Sequence, residues 1–145
     1  MNSPDMQRIE HILEYCKEAE KTVQRYGKDF AIFTDDKDYQ KSVIFDILQI
    51  GELSGKLSPE YRSATAELVP WVKVKGLRNI VVHNYGNVDL GEIWGIVESD
   101  IPDLKAFCEE QLAQAGVDMS NFFDAAGKVQ IDSDAIDKLR HESMT

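Results

Sequence analysis

The chain has 145 residues, 43% of them apolar and 29% charged, and a formal net charge of −10. That length fits one domain burying about 68–70% of the surface its unfolded form exposes, so no metal or disulfide staple is required, and the apolar content excludes wholesale disorder. The negative balance argues at first against a nucleic-acid partner, because backbone phosphates reward clustered Lys and Arg.

In chain order, Ile9, Ile12, Leu13, Cys16, Ala19 and Val23 recur at three- and four-residue steps, which predicts a helix from about Asp5 to Tyr26. Pro4 and Asp5 suit its first turn and Gly27 its end. Lys28 to Lys37 breaks the pattern with Asp35 and Asp36, so a loop anchored by Phe30, Ile32 and Phe33 is expected. A second helix is predicted over Tyr39 to Leu57, with a wide stripe of Val43, Ile44, Ile47, Leu48, Ile50 and Leu53. Gly51 and Ser54 leave room there for a close helix neighbour. Asp46 and Glu52 lie in the same apolar segment, where a carboxylate either supports a site or faces solvent, the second being commoner.

Ser58-Pro59-Glu60 signals a short helix that ends before Pro70. The next helix begins near Pro70 and Trp71 and stops at Tyr85-Gly86-Asn87. A last long helix, Asp89 to Ala115, carries Leu90, Ile93, Trp94, Val97, Ile101, Leu104, Phe107, Cys108 and Leu112. Pro102 in its interior predicts a kink or restart near Ser99 to Ile101. Beyond Gly116, Phe122, Phe123, Val129 and Ile131 suit a short docked segment, and Ser133 to His141 a final turn or two. No alternation requires a sheet. The fold class is therefore all-α, an up-and-down bundle of about four to five main helices, with residues 1–115 as the helical domain and 116–145 as a C-terminal extension.

Cys16 and Cys108 each fall in an apolar helical pattern, so buried thiols are expected rather than a disulfide. The polar start and the absence of a long apolar run predict a cytoplasmic protein without a membrane span. Charge is unevenly spread. Residues 1–59, 86–115 and 116–145 are net −3, −6 and −3, whereas residues 60–85 are net +2 through Arg62, Lys73, Lys75 and Arg78. Lysines on a helix face are usually plain surface, so this asymmetry only permits an anionic ligand.

That positive segment holds Arg78-Asn79-Ile80-Val81-Val82-His83-Asn84-Tyr85, in which an Arg, a His and a Tyr interrupt an apolar run. Arg78 is a permanently charged planar fork suited to phosphate, and His83 exchanges a proton near neutral pH. At about 100° per residue, His83 is rotated from Arg78 by about 140°, while Tyr85 lies nearly over Arg78. One straight helix therefore does not aim Arg78 and His83 at the same atom. Either Arg78 reaches round on its long stem or a second copy of the helix completes the site. Asn79 and His83, four apart, share a face.

The Arg, four residues, His, one residue, Tyr pattern resembles that of HepT-like toxins of the HEPN superfamily. Ile50-Gly51-Glu52, the Trp71 lead-in, and Val88-Asp89-Leu90 followed by Ile93-Trp94 and Val97 extend the likeness over about residues 6–113. The resemblance implies a HEPN-like fold and a metal-independent endoribonuclease toxin of a type II/VII-like toxin–antitoxin pair. It implies a homodimer in which Arg78 of one protomer meets His83 of the other. His83 would act as general base or acid and Arg78 would stabilise the scissile phosphate, with Asn79 in support. Cleavage of RNA would leave a 2′,3′-cyclic phosphate and use no cofactor. In agreement, His11, His83 and His141 show no metal-ligand spacing. Tyr85 would be the residue that a nucleotidyltransferase (MNT-type) antitoxin modifies with AMP. The alternatives are a non-catalytic HEPN module that binds nucleotide or assists a nucleotidyltransferase, and a dimeric scaffold whose motif helix only packs.

Overall fold

A computed structural model describes residues 3–83 and 89–116, and the side chains of all of these except 80–83. The expected helix end at Tyr85-Gly86-Asn87 and the segments expected between Phe122 and His141 lie outside the described residues. Helix α1 spans Pro4–Tyr26, α2 Phe30–Asp35, α3 Lys37–Gly55, α4 Pro59–Ala64, α5 Trp71–His83, α6 Leu90–Gly95 and α7 Ile101–Gln114, with a π-helical turn at Ile96–Asp100 joining the last two. The described residues contain no strand, as the all-α expectation required.

Helices α1, α2, α3, α4 and α6 start at a residue whose side chain caps them. Ser3 accepts from the Met6 amide at 3.2 Å and opens α1, and Gly27, at φ 114°, closes it. Ser58 links two starts: its hydroxyl accepts from the Tyr61 amide and donates to Asp5 Oδ2 at 2.6 Å, tying α4 to the first turn of α1. Asp5 meets Ser58, Glu20 pairs with Lys105 at 2.8 Å, and Tyr61 donates to Gln111 at 2.8 Å. These pairings run α1 antiparallel to α3 and to α7. Gly51 and Gly55 of α3 lie against Arg78 and Lys75 of α5, which makes that pair antiparallel too. The result is an up-and-down bundle of α1, α3, α5 and α7 around Ile9, Ile12, Ile47, Ile50, Ile101 and Leu104.

The expected loop at Lys28 to Lys37 is instead the helix α2. Asp29 caps it by accepting from the Ala31 amide at 2.8 Å, and Gln40 donates its side-chain amide to the carbonyls of Phe33 and Thr34. Local side-chain caps thus supply what a six-residue apolar pattern does not announce. Phe33 is fully buried between Tyr39 and Trp94, at ring distances of 5.0 and 5.2 Å, while Phe30 and Ile32 remain partly exposed.

The break expected before Pro102 takes the form of a π turn. Its wider ring removes the carbonyl that a proline ring would strike one turn back, so the chain continues as helix. Cys16 and Cys108 are free and buried, as expected, and burial pushes both thiols above their ordinary range. Among the described residues no helix is long and apolar enough to cross a membrane.

Asp46 faces the α1 side of α3 and is only 5% exposed. Burial, reinforced by Glu18, pushes its carboxyl up to about 7. The folded state therefore holds this proton more tightly than the unfolded chain, whose Asp titrates near 3.9. Stability from this group is complete below that value and is lost as pH rises towards 7. Urea unfolding is accordingly expected to show a higher midpoint at pH 5 than at pH 8. Asp46→Asn flattens that difference and raises stability at pH 8 by on the order of 1–3 kcal/mol.

Candidate active site

Helix α5 is positioned by its first and middle turns. Trp71 is buried, donates its indole N–H to Thr65 Oγ1 at 2.8 Å and meets Phe107 of α7 edge-on at 5.7 Å. Leu77 is buried one turn and a half later, and Val74 packs against the core between them. With those three residues turned inward, Arg78 emerges at the α3 side of the helix.

The approach of the two helices there is unusually close. A Cβ added at Gly51 would stand 2.9 Å from the backbone nitrogen of Arg78 and 3.2 Å from its Cβ. One at Gly55 would meet the stem of Lys75 at 3.5 Å. Glycine at 51 is therefore required for α5 to lie backbone-to-backbone on α3.

That contact delivers Arg78 to Glu52. Nε of Arg78 lies 2.6 Å from Glu52 Oε2, with both side chains about half exposed. Glu52 is thus the supporting carboxylate that the sequence offered as the less common reading, while Asp46 turns to the opposite side of α3. The pairing uses Nε alone. The two terminal amino groups carry four more N–H donors that suit a phosphate. Around the pair is an open cleft of about 210 Å³ lined by Gly51, Glu52, Gly55, Lys56, Lys75, Arg78 and Asn79. Three cations face one carboxylate, which gives this site the opposite sign to the chain as a whole.

Lys75 therefore belongs to the cleft, whereas Lys73 turns away to Asp100 at 3.9 Å. Lys56 had not stood out in the sequence. The signal that would have found it is its spacing, since Glu52 and Lys56 are four apart on the face that Gly51 and Gly55 open towards α5. Asn79 shares the cleft with Arg78. His83 is the last residue of α5, its side chain lying outside the description, and Tyr85 lies outside the described residues. Among the described residues no group of three or more His, Cys, Asp or Glu side chains is placed to hold a metal ion.

Because Glu52 touches Arg78 at a half-exposed position, its influence should be modest and directional. Glu52→Ala is expected to change stability by less than about 0.5 kcal/mol, since an exposed pair is worth at most about 1 kcal/mol. It is expected to weaken the cleft's hold on an anionic ligand by about two- to fivefold, through a less ordered guanidinium. Unfolding midpoint and the affinity for a labelled oligonucleotide, measured side by side, separate the two effects.

The described residues form an antiparallel all-α bundle with an Arg-bearing cationic cleft between α3 and α5, consistent with a HEPN-like helical domain. The profile of the family described as "Ribonuclease HepT-like" matches residues 12–111, and the chain belongs to that family. It is 31% identical over 100 residues to "Probable ribonuclease HepT" of Thermococcus cleftensis, a match covering 68% of this chain and 90% of that protein. It is 30% identical over 104 residues to "Putative RNase TTE0752" of Caldanaerobacter subterraneus subsp. tengcongensis, covering 72% and 90%. "Putative RNase MJ1380" of Methanocaldococcus jannaschii is 35% identical over 77 residues, covering 53% and 70%. No solved structure is a significant match.

Proposed function

We propose that this protein is a metal-independent endoribonuclease toxin whose site combines Arg78 of one protomer with His83 of a second. The observation that carries the reading is the cleft on the α3 and α5 faces. There an Arg held by Glu52 through Nε at 2.6 Å has four donors outside that pairing, beside Lys75, Lys56 and Asn79, in a chain of the HepT-like ribonuclease family. The rotation of about 140° between positions 78 and 83 of one helix supports a site completed by a second copy.

The chemistry follows from those side chains. The ribose 2′-oxygen attacks the adjacent phosphorus and the 5′-oxygen of the next nucleotide leaves, giving a 2′,3′-cyclic phosphate and a 5′-hydroxyl. The His83 imidazole takes the 2′ proton and, as the imidazolium so formed, returns one to the departing oxygen. Arg78 donates to the non-bridging oxygens as negative charge grows on them, and Asn79 helps hold the phosphate. Tyr85 is assigned to control. An MNT-type nucleotidyltransferase antitoxin modifying its phenol with AMP would set bulk and negative charge beside Arg78, in competition with RNA phosphate.

The test is RNA cleavage by the purified full-length protein in excess chelator, beside His83→Ala, with growth scored on expression with and without a nucleotidyltransferase partner. Chelator-resistant cleavage that disappears in His83→Ala supports the reading. Cleavage that stops in chelator, or that survives His83→Ala, overturns it. Nucleotide binding without cleavage or growth arrest would favour the non-catalytic module instead.

A further inference from the structure

Between α4 and the first turns of α5 lies a second groove, of about 520 Å³, whose walls include Arg62, Ser63, Pro70, Val72 and Lys75. Lys75 also lines the Arg78 cleft, so it stands where the two depressions meet. At about 1.5 Å per residue, Lys75 lies about 4.5 Å and Val72 about 9 Å along the α5 axis from Arg78. The groove thus begins at the cleft and leads away from it. Its volume falls within the roughly 300–1,000 Å³ usual for ligand pockets, whereas the cleft of about 210 Å³ falls below that range. A phosphate fits the smaller space, and a nucleoside needs the larger.

Arg62 and Lys75 are the two cations on the groove walls, and neither is ion-paired among the described residues. Glu60 and Glu67, the acidic residues of the same stretch, are not on those walls. Val72 is 90% exposed and Pro70 is exposed beside it, so the groove also offers open apolar surface. Trp71 is buried with its indole N–H on Thr65, which leaves no aromatic face for a base to stack on. Contact with Val72 and Pro70 reads no hydrogen-bonding edge, and Ser63 supplies the one hydroxyl. Cations beside apolar surface, on a chain that is acidic elsewhere, fit a polyanion whose flat faces are open. That describes a single nucleic-acid strand, since in a duplex the base faces are already stacked.

We propose that the α4–α5 groove is the track for the RNA strand on one side of the scissile phosphate. Arg62 and Lys75 hold phosphates of the adjoining nucleotides, and Val72 with Pro70 carries the base or ribose between them. The inference rests on the reading of the Arg78 cleft as the RNA-phosphate site, and it extends that site from one phosphate to a strand. The substrate is then single-stranded RNA that continues at least one nucleotide past the scissile phosphate, with little base preference in that direction. Arg62 binds the strand and touches no reacting atom.

The test is fluorescence anisotropy of the full-length protein with labelled 2′-deoxy oligonucleotides, which have no 2′-hydroxyl to react, as a trimer and as a hexamer. The wild type should bind the hexamer about tenfold or more tightly than the trimer. Arg62→Gln and Val72→Asp should each cut that gain about threefold or more, and Arg62→Gln should lower the slope of log affinity against log salt by about 0.7. Lys73→Gln is the control. It removes one positive charge from the same net-positive segment, but on the side of α5 that faces Asp100, and should leave the gain as it is. A hexamer bound no better than the trimer overturns the track, as does a gain untouched by Arg62→Gln and Val72→Asp. An equal loss in Lys73→Gln also overturns it, reducing the effect to net charge. If Val72→Asp turns dimers into monomers by light scattering while Arg62→Gln keeps the gain, the groove belongs to a second copy and the track is lost. Cleavage of a longer RNA in excess chelator, run on the same samples, keeps the two readings apart. A protein that binds the hexamer through Arg62 and Val72 but cuts nothing fails as a ribonuclease and keeps the track. One that cuts, with the gain unchanged in both variants, keeps the ribonuclease and loses the track.

Discussion

Arg78→Ala is expected to lower RNA cleavage by about 10²–10³-fold, the usual loss when a donor aimed at developing negative charge is removed. Stability should move by less than about 0.5 kcal/mol, because Arg78 is half exposed and its pairing with Glu52 is screened by water. Arg78→Lys should recover little, since an ammonium cannot keep Glu52 on one edge while offering a planar fork to phosphate with the other. His83→Ala removes the proposed proton carrier, with an expected loss of about 10²–10⁴-fold. The decisive version mixes the two inactive variants. In a shared site, each mixed dimer rebuilds one complete site from the intact Arg of one chain and the intact His of the other. Equal mixing should then recover about a quarter of wild-type activity. A site built within one chain recovers nothing, and that result would remove the shared-site mechanism while leaving the assignments of Arg78 and His83 to be judged by the single variants.

Gly51→Ala is expected to cost about 1–3 kcal/mol, although alanine is the better helix former and on an open helix face would stabilise by about 1 kcal/mol. The sign reverses because the new methyl group would stand 2.9 Å from a backbone nitrogen of α5, which cannot rotate away as a side-chain tip would. Relief requires α5 to lift from α3, and that movement withdraws Arg78 from Glu52 and opens the cleft. The unfolding midpoint and cleavage rate should therefore fall together, in contrast to Arg78→Ala, where only cleavage falls. Gly76→Ala, on the facing helix α5 with nothing within 4 Å of the added methyl, is the control and should be neutral or stabilising. A Gly51→Ala protein as stable and active as the wild type would show that the backbone contact is not what places Arg78.

The sequence by itself determined the helices with long apolar stripes, because a period of three to four residues persists only where one face meets a core. Helix α1, predicted from Asp5 to Tyr26, spans Pro4–Tyr26, and α3, predicted from Tyr39, starts two residues earlier at a cap supplied by Asp36. Buried thiols at Cys16 and Cys108 followed from the same periodicity. Short elements were not legible in this way. Helix α2 is held by Asp29 and Gln40 rather than by a repeating pattern, and the π turn before Pro102 is one of several ways a helix can absorb a proline.

Within the site, the chain order marked Arg78, His83 and Tyr85 as chemically capable, and helical geometry alone set Arg78 and His83 at different angles. Which carboxylate serves Arg78 was decided only by tertiary packing. Asp46 and Glu52 lie six residues apart in the same apolar run, and no local rule separates them. The glycine contact at Gly51 turns Glu52 towards Arg78 and leaves Asp46 buried against α1. The same packing separated Lys75 from Lys73, two lysines that look alike in the sequence, by sending one to the cleft and the other to Asp100. Periodicity reports that a residue faces a neighbour. Which neighbour it faces depends on contacts between segments distant in the chain, and those exist only once the bundle has closed.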